Sequence, residues 1–207
     1  VNVIGNLDEL NAAGTDAPLL GLIHDSHASY EADRPANEPS LVDMTKKAIE
    51  VLSQNEQGFY LEVEAGRVDH ANHAGNAKRA MIDGKQFADA IALADSMTDD
   101  ADTLIIVTAD HEHAVAMNGY CGRGTPIEGL CYSVSNTGIE HSNELELGDD
   151  GKPYSVVMYL NGVGSVLKKQ DDGSYAAPQG RDDVTQEQAT DLDYVQQAIV
   201  PKSSEPH

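Results

Sequence analysis

Asp69 and His73 stand four residues apart in the stretch Glu64-Ala65-Gly66-Arg67-Val68-Asp69-His70-Ala71-Asn72-His73. At a helix start that spacing puts both side chains on one face, about one turn apart. A carboxylate oxygen and an imidazole nitrogen so placed can chelate one ion, and the donor pair suits Zn²⁺ or a similar transition metal. The spacing alone is weak, because solvated Asp–His helix pairs are common. A second cluster strengthens it: Thr108-Ala109-Asp110-His111-Glu112-His113 follows directly on an apolar run. In open α/β sheets, sites form beyond the carboxyl ends of strands. Four titratable side chains at a buried strand end are costly unless something pairs them, and a metal would do so. Glu64 ends the strand before Asp69, so its carboxylate is expected in the same crevice as Asp110. Glu62 shares its face, and Glu64 is preferred because it lies nearer the strand end. His24, His27 and His141 read as solvated surface histidines, and His207, by position alone, as a frayed terminus.

These residues need elements to hold them. Ala17–Ile23 is a short apolar run between turn-formers and reads as a buried strand. Residues 24–39 read as loop. Ser40-x-x-Asp43 resembles a capping box, and Leu41, Met44, Ala48, Ile49 and Leu52 behind it give a helix to about Asn55. Phe59–Glu64 reads as a second strand. Ala77, Ala80, Met81, Gly84, Phe87, Ala88 and Ile91 form an apolar stripe, so residues 70–97 read as one helix. Thr103–Thr108 is a near-continuous apolar run, as expected for a strand covered on both faces. The alternation of strand and helix predicts an α/β fold with parallel strands. Tyr154–Leu160 reads as one more strand, and Thr185–Val200 as holding a helix. Residues 118–153 and 168–193 read as surface excursions from a single domain spanning 1–207.

Composition excludes several functions. Of 207 residues, Lys and Arg supply 13 and Asp and Glu 35, a net charge of −22. Nucleic-acid affinity rests on neutralising phosphates with cations, so a nucleic-acid partner is disfavoured, as is an anionic membrane surface. No apolar run approaches the ~20 residues of a membrane span. Cys121 and Cys131 are close enough for a small disulfide loop in an oxidising compartment, and two unpaired thiols are the alternative.

VEAGRVDHANHAGNA followed by TLIIVTADHEHA resembles the alkaline phosphatase family. So do NEPSLVDMTKKAIEVLSQNEQGFYLEVEAGRVDH before, and the Gly119-Tyr120, Arg123-Gly124, Gly129-Leu130 and YLNGVG stretches after. The ending SSEPH resembles the approach to that family's last zinc-binding histidine. The resemblance implies a three-layer sandwich around a mostly parallel central sheet, incomplete in this chain. It implies Asp69, His73 and His207 as ligands of a first zinc, Asp110 and His111 as ligands of a second, and Glu64 as a magnesium carboxylate. His70 and His113 match positions near the metals. Glu38 falls where some members place a calcium carboxylate. The implied reaction is hydrolysis of a phosphate monoester through a phosphoserine, in a periplasmic or extracellular homodimer.

The resemblance places the nucleophilic serine, a phosphate-binding arginine and a carboxylate bridging zinc and magnesium upstream. The expectation is therefore a C-terminal portion with no catalytic nucleophile of its own, inactive when isolated. Phosphodiesterases, sulfatases and cofactor-independent phosphoglycerate mutases share the Asp-x-x-x-His and Asp-His pairs and form one alternative. NEPSL and AGRVDH favour the phosphatase. The other alternative is a non-catalytic, cation-binding remnant.

Overall fold

The computed structural model describes residues 1–201. They fall into two compact units, residues 1–68 with 81–108, and residues 69–80 with 109 onward.

In the first unit β1 (Asn2–Ile4) pairs in parallel with β2 (Leu19–Gly21), and α1 (Leu7–Ala12) lies between them in sequence. Asn6 caps α1 by accepting the Glu9 N–H. The helix α2 (Leu41–Leu52) starts as expected. Ser40 Oγ accepts the Asp43 N–H at 3.1 Å and Asp43 returns a carboxylate oxygen to the Ser40 N–H at 2.9 Å. Two otherwise unsatisfied helix-end donors are thus paired. Ile4, Leu10 and Ile49 are buried. The loop 24–39 is braced by Arg34, which grips the Glu31 carboxylate at 2.7 and 3.0 Å and donates to the Glu38 carbonyl.

Phe59–Glu64 and Thr103–Thr108 depart from expectation. Neither forms a strand or joins a β-ladder among the described residues. Leu104 is 82% exposed and Ile106 77%. Sequences this apolar fit the interior of a sheet, where strands flank them on both sides. The described residues do not supply those flanking strands, so the expected double burial is absent.

The expected single helix 70–97 is two helices, α3 (Gly66–His73) and α4 (Ala77–Met97). Gly75 adopts φ +66, the left-handed conformation that commonly ends a helix. The Asn76 N–H reaches back to the Ala71 carbonyl at 2.9 Å. Asn76 Oδ1 then accepts the Arg79 N–H at 3.0 Å and starts the next helix. A Cβ at Gly75 would sit 3.3 Å from Val195 and 3.4 Å from Val163, besides the unfavourable φ.

The second unit is built on a three-stranded sheet ordered β3 (Val115–Met117), β6 (Val157–Gly162), β9 (Ala198–Pro201). The central strand pairs antiparallel with β3 and parallel with β9. Two further antiparallel pairs, β4 (Tyr132–Val134) with β5 (His141–Leu145) and β7 (Lys168–Lys169) with β8 (Tyr175–Ala176), occupy the turn-rich stretches. Leu130 and Cys131 within residues 118–153 are fully buried. The strand expected at Tyr154–Leu160 begins later. Tyr154 and Val156 instead bond to the 129–131 segment, with Cys131 N–H on the Tyr154 carbonyl and Val156 N–H on the Gly129 carbonyl. The helix expected within 185–200 is one turn, α5 (Gln186–Ala189), capped by Thr185. Asp191 then accepts the Asp193 N–H and closes a turn. The β-branched pair Ile199-Val200 before Pro201 takes the extended form.

The chain is thus α/β, with both parallel and antiparallel pairing. Cys121 and Cys131 form a disulfide across a separation of 10 residues, which resolves the two readings left by the sequence. Replacing both cysteines by serine should lower the unfolding free energy by about 2–3 kcal/mol, the loop-closure value for a loop of this size. A urea midpoint unchanged by the substitutions would show that the bond adds nothing.

Candidate metal centre

Asp69, His73, Asp110, His111 and His113 all belong to the second unit. Helix α3 carries Asp69 and His73 at the i, i+4 spacing, and the Asp69 Oδ2 to His73 Nε2 distance is 3.2 Å. Two ligands of one tetrahedral zinc at ~2.0–2.1 Å would lie roughly 3.3 Å apart. This pair therefore fits joint coordination without rearrangement.

His113 approaches from the other side. Its Nε2 lies 2.6 Å from Asp69 Oδ1, a hydrogen-bond distance shorter than two ligands of one such ion would keep. The ring is 3% exposed. Its edge meets the His73 ring at 4.7 Å and the His111 ring at 4.2 Å between centroids. One donor atom from each of Asp69, His73 and His113 lies within 4.8 Å of the others. Asp69 thus presents one oxygen to His113 and the other to His73. A carboxylate hydrogen-bonded on one oxygen is oriented, and its free oxygen is directed at the ion.

The turn that delivers His113 is strained. His113 and Ala114 have φ of 58 and 51, a conformation costing a non-glycine residue ~1–2 kcal/mol. The Val115 N–H bonds the Glu112 carbonyl at 3.3 Å, and the Leu160 N–H bonds the Ala114 carbonyl at 3.0 Å. Strand β6 therefore fixes the turn.

His111 Nε2 stands 3.5 Å from both Asp69 Oδ1 and Asp110 Oδ2. The second distance also suits a shared ion. Asp110 has a side chain 89% exposed, so this flank is open to solvent while the His113 flank is closed.

Of the remaining expected site residues, Glu64 belongs to the first unit. His70 sits half-buried on α3. His207 lies outside the described residues. Glu38 is buried in the first unit, and its two oxygens accept the Ser29 N–H at 2.7 Å and the Ser29 hydroxyl at 2.8 Å. His24 and His27 are exposed as expected. His141 is not a freely solvated histidine: it is half-buried, its Nδ1 is 2.6 Å from the Ser142 carbonyl, and its ring lies beside Tyr132. Sequence reasoning gave His113 no partner. The signals for it were its place two residues after His111 and the resemblance that sets it near the metals, and nothing local encodes a contact across 44 positions.

A family model described as alkaline phosphatase matches residues 1–207. An alkaline phosphatase of Gadus morhua is 38% identical over 190 residues, covering 91% of this chain and 35% of the relative. The tissue-nonspecific isozyme of Rattus norvegicus is 37% identical over 190 residues, covering 91% of this chain and 32% of the relative. That of Felis catus is 42% identical over 147 residues, covering 70% and 26%. A solved alkaline phosphatase of Thermus thermophilus is 36% identical, with a TM-score of 0.43 over 45% of this chain and 20% of that one. The chain spans about a third of the length of the curated relatives it matches.

His113→Ala removes the hydrogen bond to Asp69 Oδ1 and should weaken zinc binding by about 10–100-fold. Competition against a chromophoric chelator measures this. Equal affinity in the variant would remove His113 from the centre.

Proposed function

The chain belongs to the alkaline phosphatase family, and from that premise we propose that it supplies the metal-holding portion of a phosphoric monoester hydrolase. The observation that carries the reading is Asp69, with one oxygen 3.2 Å from His73 and the other 2.6 Å from His113.

In this reading Asp69 and His73 hold a first zinc together with His207. Asp110 and His111 hold a second, and Glu64 serves a magnesium ion. The bound cations supply Lewis-acid stabilisation of charge on the phosphoryl oxygens and on the attacking and leaving oxygens. The chain's own groups do the positioning. Asp69 offers a negative oxygen whose direction is set by the His113 hydrogen bond. His73 presents an imidazole nitrogen at the next turn of the same helix. The buried His113 ring excludes water from one side of the cluster, whereas the exposed Asp110 leaves the other side open to an incoming ester. A calcium ion at Glu38 would share a carboxylate whose two oxygens already accept the Ser29 N–H and hydroxyl.

The nucleophile is a serine in a segment outside this sequence, so hydrolysis through a phosphoserine requires the longer protein. The three-layer, mostly parallel sheet and the homodimer belong to that longer protein as well. A periplasmic or extracellular site of action is supported by the Cys121–Cys131 bond, which persists in oxidising compartments. No helix of the described residues is long and apolar enough to cross a membrane.

In the full-length protein, Asp69→Ala should lower kcat/KM for p-nitrophenyl phosphate by about 10²–10³-fold, the equivalent of several kcal/mol of lost Lewis-acid stabilisation. Chelation should do the same reversibly. Preferred turnover of a phosphodiester or a sulfate ester would overturn the monoesterase reading in favour of a related hydrolase. Absence of turnover together with salt-sensitive, Asp69-independent cation binding would leave only diffuse electrostatic attraction.

A further inference from the structure

Tyr159 stands at the middle of β6, itself the central strand of its sheet. It is 1% exposed. Its hydroxyl donates to Asn72 Oδ1 at 2.5 Å, across 87 positions of sequence. Asn72 immediately precedes His73 and lies three residues after Asp69, so the three share one face of α3. The same tyrosine is registered opposite Val115, the residue that follows the strained His113-Ala114 turn. Its neighbour Leu160 donates to the Ala114 carbonyl. One strand therefore grips both segments of the centre, α3 through the Tyr159 hydroxyl and the His113 turn through backbone pairing.

We propose that Tyr159 is a positioning residue for the metal centre: its hydrogen bond to Asn72 sets α3, and with it Asp69 and His73, in register with the turn that carries His113. The inference rests on the reading of Asp69 and His73 as metal ligands. Burial holds the phenol protonated far above its usual range, so the hydroxyl remains a donor. Ligand geometry tolerates little error, and groups that orient ligands without touching the ion commonly govern affinity by one to two orders of magnitude. The phenol reaches only the residue beside a ligand, so it acts through helix placement.

The test is a zinc titration of the purified protein and of Tyr159→Phe, Asn72→Ala and the double variant, by chelator competition, with metal-free thermal melts alongside. Tyr159→Phe keeps the ring and removes only the donor. The expected result is about tenfold weaker zinc binding in each single variant, with Tyr159→Phe adding nothing in the Asn72→Ala background, because the shared hydrogen bond is already gone there. A purely structural role predicts lowered metal-free melting with zinc affinity intact, and that result overturns the proposal. So does full additivity of the two substitutions. Asp69→Ala separates the two levels. If wild-type zinc binding is stoichiometric and lost in Asp69→Ala while Tyr159→Phe binds normally, the positioning role falls and the metal reading stands. If Asp69→Ala binds zinc as the wild type does, both fall.

Discussion

The carboxylate of Asp69 faces two histidines at once, and the second unit is arranged to make that possible. A partly buried carboxylate needs compensation on both oxygens. One oxygen finds it within α3, from His73 a turn away. The other finds it in His113, delivered by a different segment on a turn that is unfavourable in itself. The hydrogen bond from His113 and the pairing of β3 with β6 offset that local strain. Removing the Asp69–His113 bond would therefore leave the strained turn held by its backbone pairing with β6 alone.

Features encoded within a few residues were legible in the sequence. The Ser40–Asp43 box predicts the start of α2 because both reciprocal hydrogen bonds lie within one turn. The Asp69–His73 spacing predicts a shared face for the same reason. Features set by distant partners were not. The apolar stripe of α4 begins two residues after Gly75 and gives no sign of the left-handed residue before it, so two helices read as one. The isolated turn at Gln186–Ala189 carries a good cap, and only pairing with β6 shows that the chain beyond becomes a strand. The contacts of His113 with Asp69, and of Tyr159 with Asn72, join segments that no periodicity connects.

The strands expected at Phe59–Glu64 and Thr103–Thr108 do not form among the described residues, and the burial expected of Thr103–Thr108 is absent. Their composition records a sheet interior, whereas the described residues leave their hydrogen-bonding edges without a ladder. The matched relatives are about three times as long as this chain.

Thr103–Thr108 also has the makeup of an amyloid-forming hexamer: β-branched and apolar, without charge or proline. Stacked copies of that segment would align in register. Asp99, Asp100 and Asp102 precede it, and Asp110 and Glu112 follow it. In an in-register stack these carboxylates would lie ~4.8 Å above one another and repel. The acids that flank this run thus disfavour its in-register stacking, and that part of the chain's large negative charge works against self-association through Thr103–Thr108.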